Sequence, residues 1–158
     1  MGTRSRIGVM HGDVVKSVYC HWAGYLKHNG EILQEHYTSA KANELVALGD
    51  LSSLRPTIGV EHAFSRFDTE MSEENYDELY GDMCTFYGRD RKETDTEWKV
   101  AHTFTEFLEQ VENCFGEYYY IMRDGTWYCG CTTYDRGDGL YNKLVPLAEA
   151  LESAKETA

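Results

Sequence analysis

No stretch of the chain approaches the ~18 consecutive apolar residues that a membrane-spanning helix requires, which excludes such a helix. Arg4 and Arg6 near the N-terminus are not followed by an apolar segment, so a secretory signal is not expected. The chain has no G-x-x-x-x-G-K-[ST] and no G-x-G-x-x-G, which excludes the common glycine-cradled phosphate loops. Internal repeats, low-complexity tracts and proline-rich linkers are also missing; there are two prolines in 158 residues. That length without linkers predicts a single α+β domain over residues 1–158 with one main core. Positive charge is scarce: 15 Lys and Arg stand against 27 Asp and Glu, a formal net charge of −12. Broad nucleic-acid binding needs cations to displace counterions from phosphate, so direct nucleic-acid binding is not expected. A negative exterior suits solubility and docking to a basic partner.

What is present begins with five cysteines, an odd and dispersed set that fits free thiols in a reducing, cytoplasmic setting. Aromatic residues make up 13% of the chain and include 12 tyrosines, whose apolar body and polar tip suit half-buried sheet faces and interfaces. "RSRIGVMHGDVVKSVYCHW" reads as a β-hairpin turning at Gly12-Asp13. Gly24 breaks the second strand, and "HNGEILQEHYTS" opens a helix with Ile32, Leu33, His36 and Tyr37 at helical spacing. "SAKANELVALGD" is a second helix that turns Leu45 and Leu48 inward and ends at Gly49.

Ser72 is placed to cap a short acidic helix with Tyr76, Leu79 and Tyr80 on one face. "MCTFYGRDRKETDTEWKVAHTF" predicts two strands joined by a charged loop from Gly88 to Thr96. Thr103 and Glu106 form a T-x-x-E capping box before a helix with Phe104, Phe107, Leu108 and Val111 as its buried stripe. "EYYYIMRDGTWYCGC" is the strongest hairpin pattern, turning at Asp124-Gly125. A last helix begins near Pro146 and buries Leu147 and Leu151. The expected architecture is a mostly antiparallel sheet built from hairpins, with helices packed on one face.

Chemistry concentrates in "SVYCHWAGYLKHNGEILQEHY". A polar and aromatic strand-to-helix junction is a common place for a ligand, which makes His21, Tyr25 and His28 candidate binding residues. Cys20 and His21 with Cys129 and Cys131 have the ligand types zinc prefers. Their spacing lacks paired knuckles, and adjacent strand residues point to opposite faces, so packing is the stronger reading and no metal is expected. Arg89 and Arg91, in "YGRDRK", form the only concentrated positive charge beyond the N-terminus. They and Arg136, in "TTYDRGDGLYNK", are candidates for contact with a phosphate or carboxylate. Glu70, Glu73, Glu74, Asp77 and Glu78 lie in a stretch, Asp68 to Asp82, that contains no lysine or arginine. It is either a solvated helix face or an acidic docking surface. No pair of carboxylates there has the contrasting environments that acid–base catalysis uses.

The ordered segments "MGTRSRIG", "YCHWAGYLKHNGEILQEHY", "LGDLSSL", "YGRD" and "EYYYIMRDGTWYC" carry a resemblance over most of the chain. They resemble a group of small proteins encoded by tailed bacteriophages. That group has an aspartate between tryptophan and glycine where this chain has Ala23. The resemblance implies action in the cytoplasm of an infected bacterium and brings no catalytic residues. Two functional expectations follow. The first is a non-enzymatic acidic accessory protein that binds a host or phage macromolecule, a basic one by charge, in host takeover or anti-defence modulation. It would need no cofactor, and a tyrosine-rich homo-oligomer interface is compatible with it. The second is a nucleotide- or metal-binding protein, conceivably an enzyme, with its pocket near residues 20–28.

Overall fold

The computed structural model of the protein describes residues 3–132 and 140–156. In chain order its elements are β1 (Ser5–His11), β2 (Val14–Cys20), α1 (Glu31–His36), α2 (Ser39–Ala47), β3 (Leu51–Ser53) and α3 (Glu73–Tyr80). Then come β4 (Thr85–Phe86), α4 (Tyr87–Arg91), β5 (Lys99–Ala101), α5 (Phe104–Asn113), β6 (Tyr118–Arg123), β7 (Thr126–Cys131), β8 (Val145–Pro146) and α6 (Leu147–Glu156). The class is α+β: one eight-stranded, mostly antiparallel sheet in the order β4-β3-β2-β1-β6-β7-β8, with β5 paired to β2.

Local turn chemistry builds the two hairpins. Gly12 has φ +64°, which suits the glycine of a type II′ turn between β1 and β2. Asp124 and Gly125 both have positive φ, 50° and 78°, as a type I′ turn requires. Two parallel pairings join these hairpins to each other and to the rest: β1 with β6, and β2 with β3.

Alternation along the strands sorts side chains into two cores. Ile7 and Val9, Val18 and Cys20, Tyr120 and Met122 face the larger core, where Leu33 of α1, Leu45 and Val46 of α2 and Leu147 of α6 pack on them. Their neighbours Val15, Tyr119 and Ile121 face the other way and meet Phe107 and Val111 of α5. The helices are therefore divided between the two faces, whereas one covered face was expected. The reason is in β6: every residue from Tyr119 to Met122 is buried, so both sides of that strand need a cover.

The segment expected to be two strands and a loop is a second difference. β4 and β5 lie in the sheet but pair with β3 and β2, not with each other. Between them α4 occupies part of the expected loop. It is held by tertiary contacts, because the Asp90 carboxylate accepts from the Phe86 and His62 N–H groups at 2.8 and 3.1 Å. Ser72 does cap α3, accepting from the Asn75 N–H at 3.2 Å. Leu79, expected on its packed face, is exposed, while Tyr76 and Tyr80 are half-buried. Among the described residues no helix is long and apolar enough to cross a membrane.

Candidate functional site

The strand-to-helix junction is closed by hydrogen bonds. His21 and Trp22 N–H groups donate to the Leu51 and Ser52 carbonyls at 3.1 and 3.0 Å, which extends the pairing of β2 with β3. Gly24 N–H donates to the Thr3 carbonyl at 2.8 Å, and a Cβ at Gly24 would stand 2.8 Å from that same oxygen. Only glycine fits so close an approach. A π-helical turn, Leu26–Gly30, then leads into α1.

Asn29 is fully buried at the centre of this turn. Its Nδ2 donates to Ser5 Oγ at 3.3 Å and to Cys20 Sγ at 3.4 Å, which leaves Oδ1 to accept from His28 Nδ1 at 2.9 Å. His28 Nε2 must then be the acceptor for Arg55 Nη1, 3.2 Å away. Arg55 Nε continues to the Gly81 carbonyl just beyond α3, at 3.2 Å. His28 is thus the middle of a chain of bonds running from the sheet to the acidic helix.

His21 has its own partner. Tyr19 Oη and His21 Nδ1 are hydrogen-bonded at 2.5 Å, and the imidazole meets the Trp22 ring edge-on at 4.6 Å. Burial first, and the Arg4 charge second, hold its pKa below the ordinary histidine value. Tyr25 is half-exposed and stands edge-on to His28. None of the three lines the cleft at Trp22 described below.

Cys20, Ser5, Tyr118 and Cys131 lie opposite one another across β2, β1, β6 and β7. Three inter-strand steps of about 4.8 Å put Cys20 roughly 14 Å from Cys131, too far to share an ion. Burial also pushes the Cys20 thiol up to about 12, away from the thiolate that metals bind. Among the described residues no group of three or more metal-ligating side chains comes together. Cys20, Cys129 and Cys131 lie in the larger core, and His21 stands at its edge.

The cleft of the molecule lies one residue along, at Trp22. It has a volume of about 430 Å³ and opens between β3, the segment around Phe64–Phe67, and one side of α3. Trp22, Phe64, Phe67, Tyr76 and Tyr80 supply rings; Ser52, Ser53, Ser65 and Thr85 supply hydroxyls; Arg55, Arg66, Glu73 and Asp77 supply charge. Glu73, Tyr76, Asp77 and Tyr80 recur at helical spacing, so α3 turns one stripe of two carboxylates and two rings to the cleft. Glu74, Glu78 and Glu70 are exposed outside it. Among the described residues none of these five carboxylates is in an ion pair. Trp22 and Phe67 are exposed at the cleft, 47% and 80% respectively.

The positive candidates are placed differently. Arg89 uses all five of its N–H donors internally: on Asp90, which is buried, and on the carbonyls of Ile58, Gly59 and Cys84. It braces the wall behind the cleft and has no donor left for a phosphate. Arg91 is half-exposed, lies over the Phe64 ring at 4.8 Å and pairs with Glu93 at 3.6 Å. Arg136 lies outside the described residues.

Sequence reasoning named Tyr76, Tyr80, Glu73 and Asp77 but missed Phe64, Arg66, Phe67 and Arg55 as their companions. One signal was available: Ser65 and Asp68 form a reciprocal capping box that stops the chain in a short turn between two phenylalanines. Comparison of the chain with protein-family models, with curated proteins and with solved structures finds no match.

Proposed function

We propose that the protein is a non-enzymatic binding module that docks a basic segment of another protein against α3 and seats one of that segment's cationic side chains in the adjoining cleft. The observation that carries this reading is the α3 stripe, where two carboxylates with no ion-pair partner among the described residues alternate with two aromatic rings on a cleft wall. Carboxylates accept charge-assisted hydrogen bonds from Lys or Arg, and ring faces add roughly 0.5–2 kcal/mol of cation–π attraction. The net charge of −12 steers such a partner toward the surface. In the setting implied by the bacteriophage resemblance, the partner is a basic host or phage protein in the bacterial cytoplasm.

The cleft is also of a size that small ligands occupy, about 300–1,000 Å³. A nucleotide's phosphate there would meet Glu73 and Asp77 on α3 as well as Arg55 and Arg66 across the cleft. The test is retention of host proteins on the immobilised chain at low and high salt, beside a Glu73→Gln/Asp77→Asn variant. A retained basic protein, released by salt and lost by the variant, supports the reading. Equal retention by the variant, or none by the wild type, ends it.

A further inference from the structure

Three of the arginines are committed within the fold. Arg6 is buried with its guanidinium on Ser17, and Arg55 and Arg89 are spent on carbonyls, His28 and Asp90. A different arrangement occurs at the far end of the sheet. Met10 and Arg123 are paired neighbours there, at the opposite end of β1 from the Ser5–Cys20 pair. A cavity of about 600 Å³ opens between this end and the start of α5.

Arg123, Lys143 and His102 converge on that cavity, and among the described residues none of them is in an ion pair. Its floor is Met10, Phe104 and Leu144, the partly buried margin of the smaller core. Two features order the site, one at the Arg123 side chain and one at the Lys143 backbone. The Arg123 guanidinium lies 4.4 Å over the Tyr128 ring, and the buried Tyr119 donates its O–H to the Lys143 carbonyl. Asn142 adds an amide, and Asp13 is the one carboxylate among the lining residues.

We infer that this cavity binds a small organic anion. Its charged head, a phosphate or carboxylate, sits between Arg123 and Lys143, and its apolar body lies on Met10, Phe104 and Leu144. Cations with no ion-pair partner among the described residues, set beside an apolar floor, suit a ligand that brings negative charge and an apolar body together. The site is separate from α3 and does not depend on the docking reading.

Calorimetric titration with phenyl phosphate and with benzoate tests it, with inorganic phosphate and benzyl alcohol as controls. The expected result is saturable binding of at least one aromatic anion, about tenfold tighter than either control, because head and body each contribute. Which of the two anions binds better identifies the head group. Arg123→Gln/Lys143→Gln should weaken binding about tenfold or more. Lys143→Gln alone, at an exposed side chain, should weaken it by less with the fold intact. Glu73→Gln/Asp77→Asn should leave it unchanged. Absence of saturable binding to both aromatic anions overturns the inference. So does equal affinity for inorganic phosphate, or indifference to the Arg123 and Lys143 changes.

Discussion

The junction at residues 20–29 and the cleft beside α3 are neighbours, sharing Trp22 and the Arg55 bridge, yet they are opposites in what they leave undone. The junction is dense in sulfur, imidazole and aromatic rings, and its most buried polar groups are engaged. Asn29 spends its amide on three partners, His28 both ring nitrogens, and His21 one nitrogen on Tyr19. The α3 region is chemically plainer, but Glu73 and Asp77 face open volume with no ion-pair partner among the described residues. The capacity to bind belongs to groups that folding has left unsatisfied, and residue type alone does not reveal which those are.

The contrast is broken most forcefully by removing one side chain from each region. Asn29→Ala leaves the Ser5 hydroxyl, the Cys20 thiol and His28 Nδ1 without their shared partner in a fully buried place. It should destabilise the fold by about 2–3 kcal/mol in urea unfolding. Glu73→Gln/Asp77→Asn should change stability by no more than ~0.5 kcal/mol, because exposed carboxylates one helical turn apart repel only slightly. A large loss from the α3 pair would mean its charges support the structure. The docking reading would then lose its premise.

A smaller effect of opposite sign is expected at Ala23. Its φ of 55° lies in the left-handed region, which costs an alanine roughly 1–2 kcal/mol and which asparagine and aspartate tolerate better. Ala23→Asn should therefore raise the unfolding free energy by about 0.5–1 kcal/mol, read from the same urea curves. An unchanged or lowered stability would show that the alanine methyl is needed where it is.

What could be read from the sequence was what neighbouring residues decide. Gly12-Asp13 and Asp124-Gly125 specify turns, Ser72 and Thr103 specify helix starts, and Gly49 specifies a helix end; each is in place. Strand pairing between distant segments has no such local code. Nothing near β1 or β6 announces that they lie side by side in parallel, or that α5 covers the reverse face. The five-residue α4 is too short to show a period and is held by Asp90 and Arg89 contacts to segments about thirty residues away. The cleft was illegible for the same reason. Its lining comes from residue 22, residues 52–55, 64–67 and 73–85, and only the α3 stripe repeats with helical spacing.

The finest comparison concerns pH, and it tests whether His21 belongs with the satisfied groups. Burial and the Arg4 charge lower its pKa in the folded protein below the ordinary histidine value of about 6.5. Above that value both states carry a neutral ring and the residue has no effect on stability. As pH falls through it, the unfolded chain takes up a proton that the folded chain resists, so stability declines until the lower folded pKa is passed. The ring is only partly buried, so this decline is the smallest effect considered. It is best isolated by subtracting the pH profile of unfolding free energy of His21→Gln from that of the wild type. A difference that grows below pH ~6.5 would keep His21 bound into the junction through Tyr19. Parallel profiles would mean that the imidazole titrates as freely as in the unfolded chain. His21 would then join Glu73 and Asp77 as a group still available to a partner at the Trp22 end of the cleft.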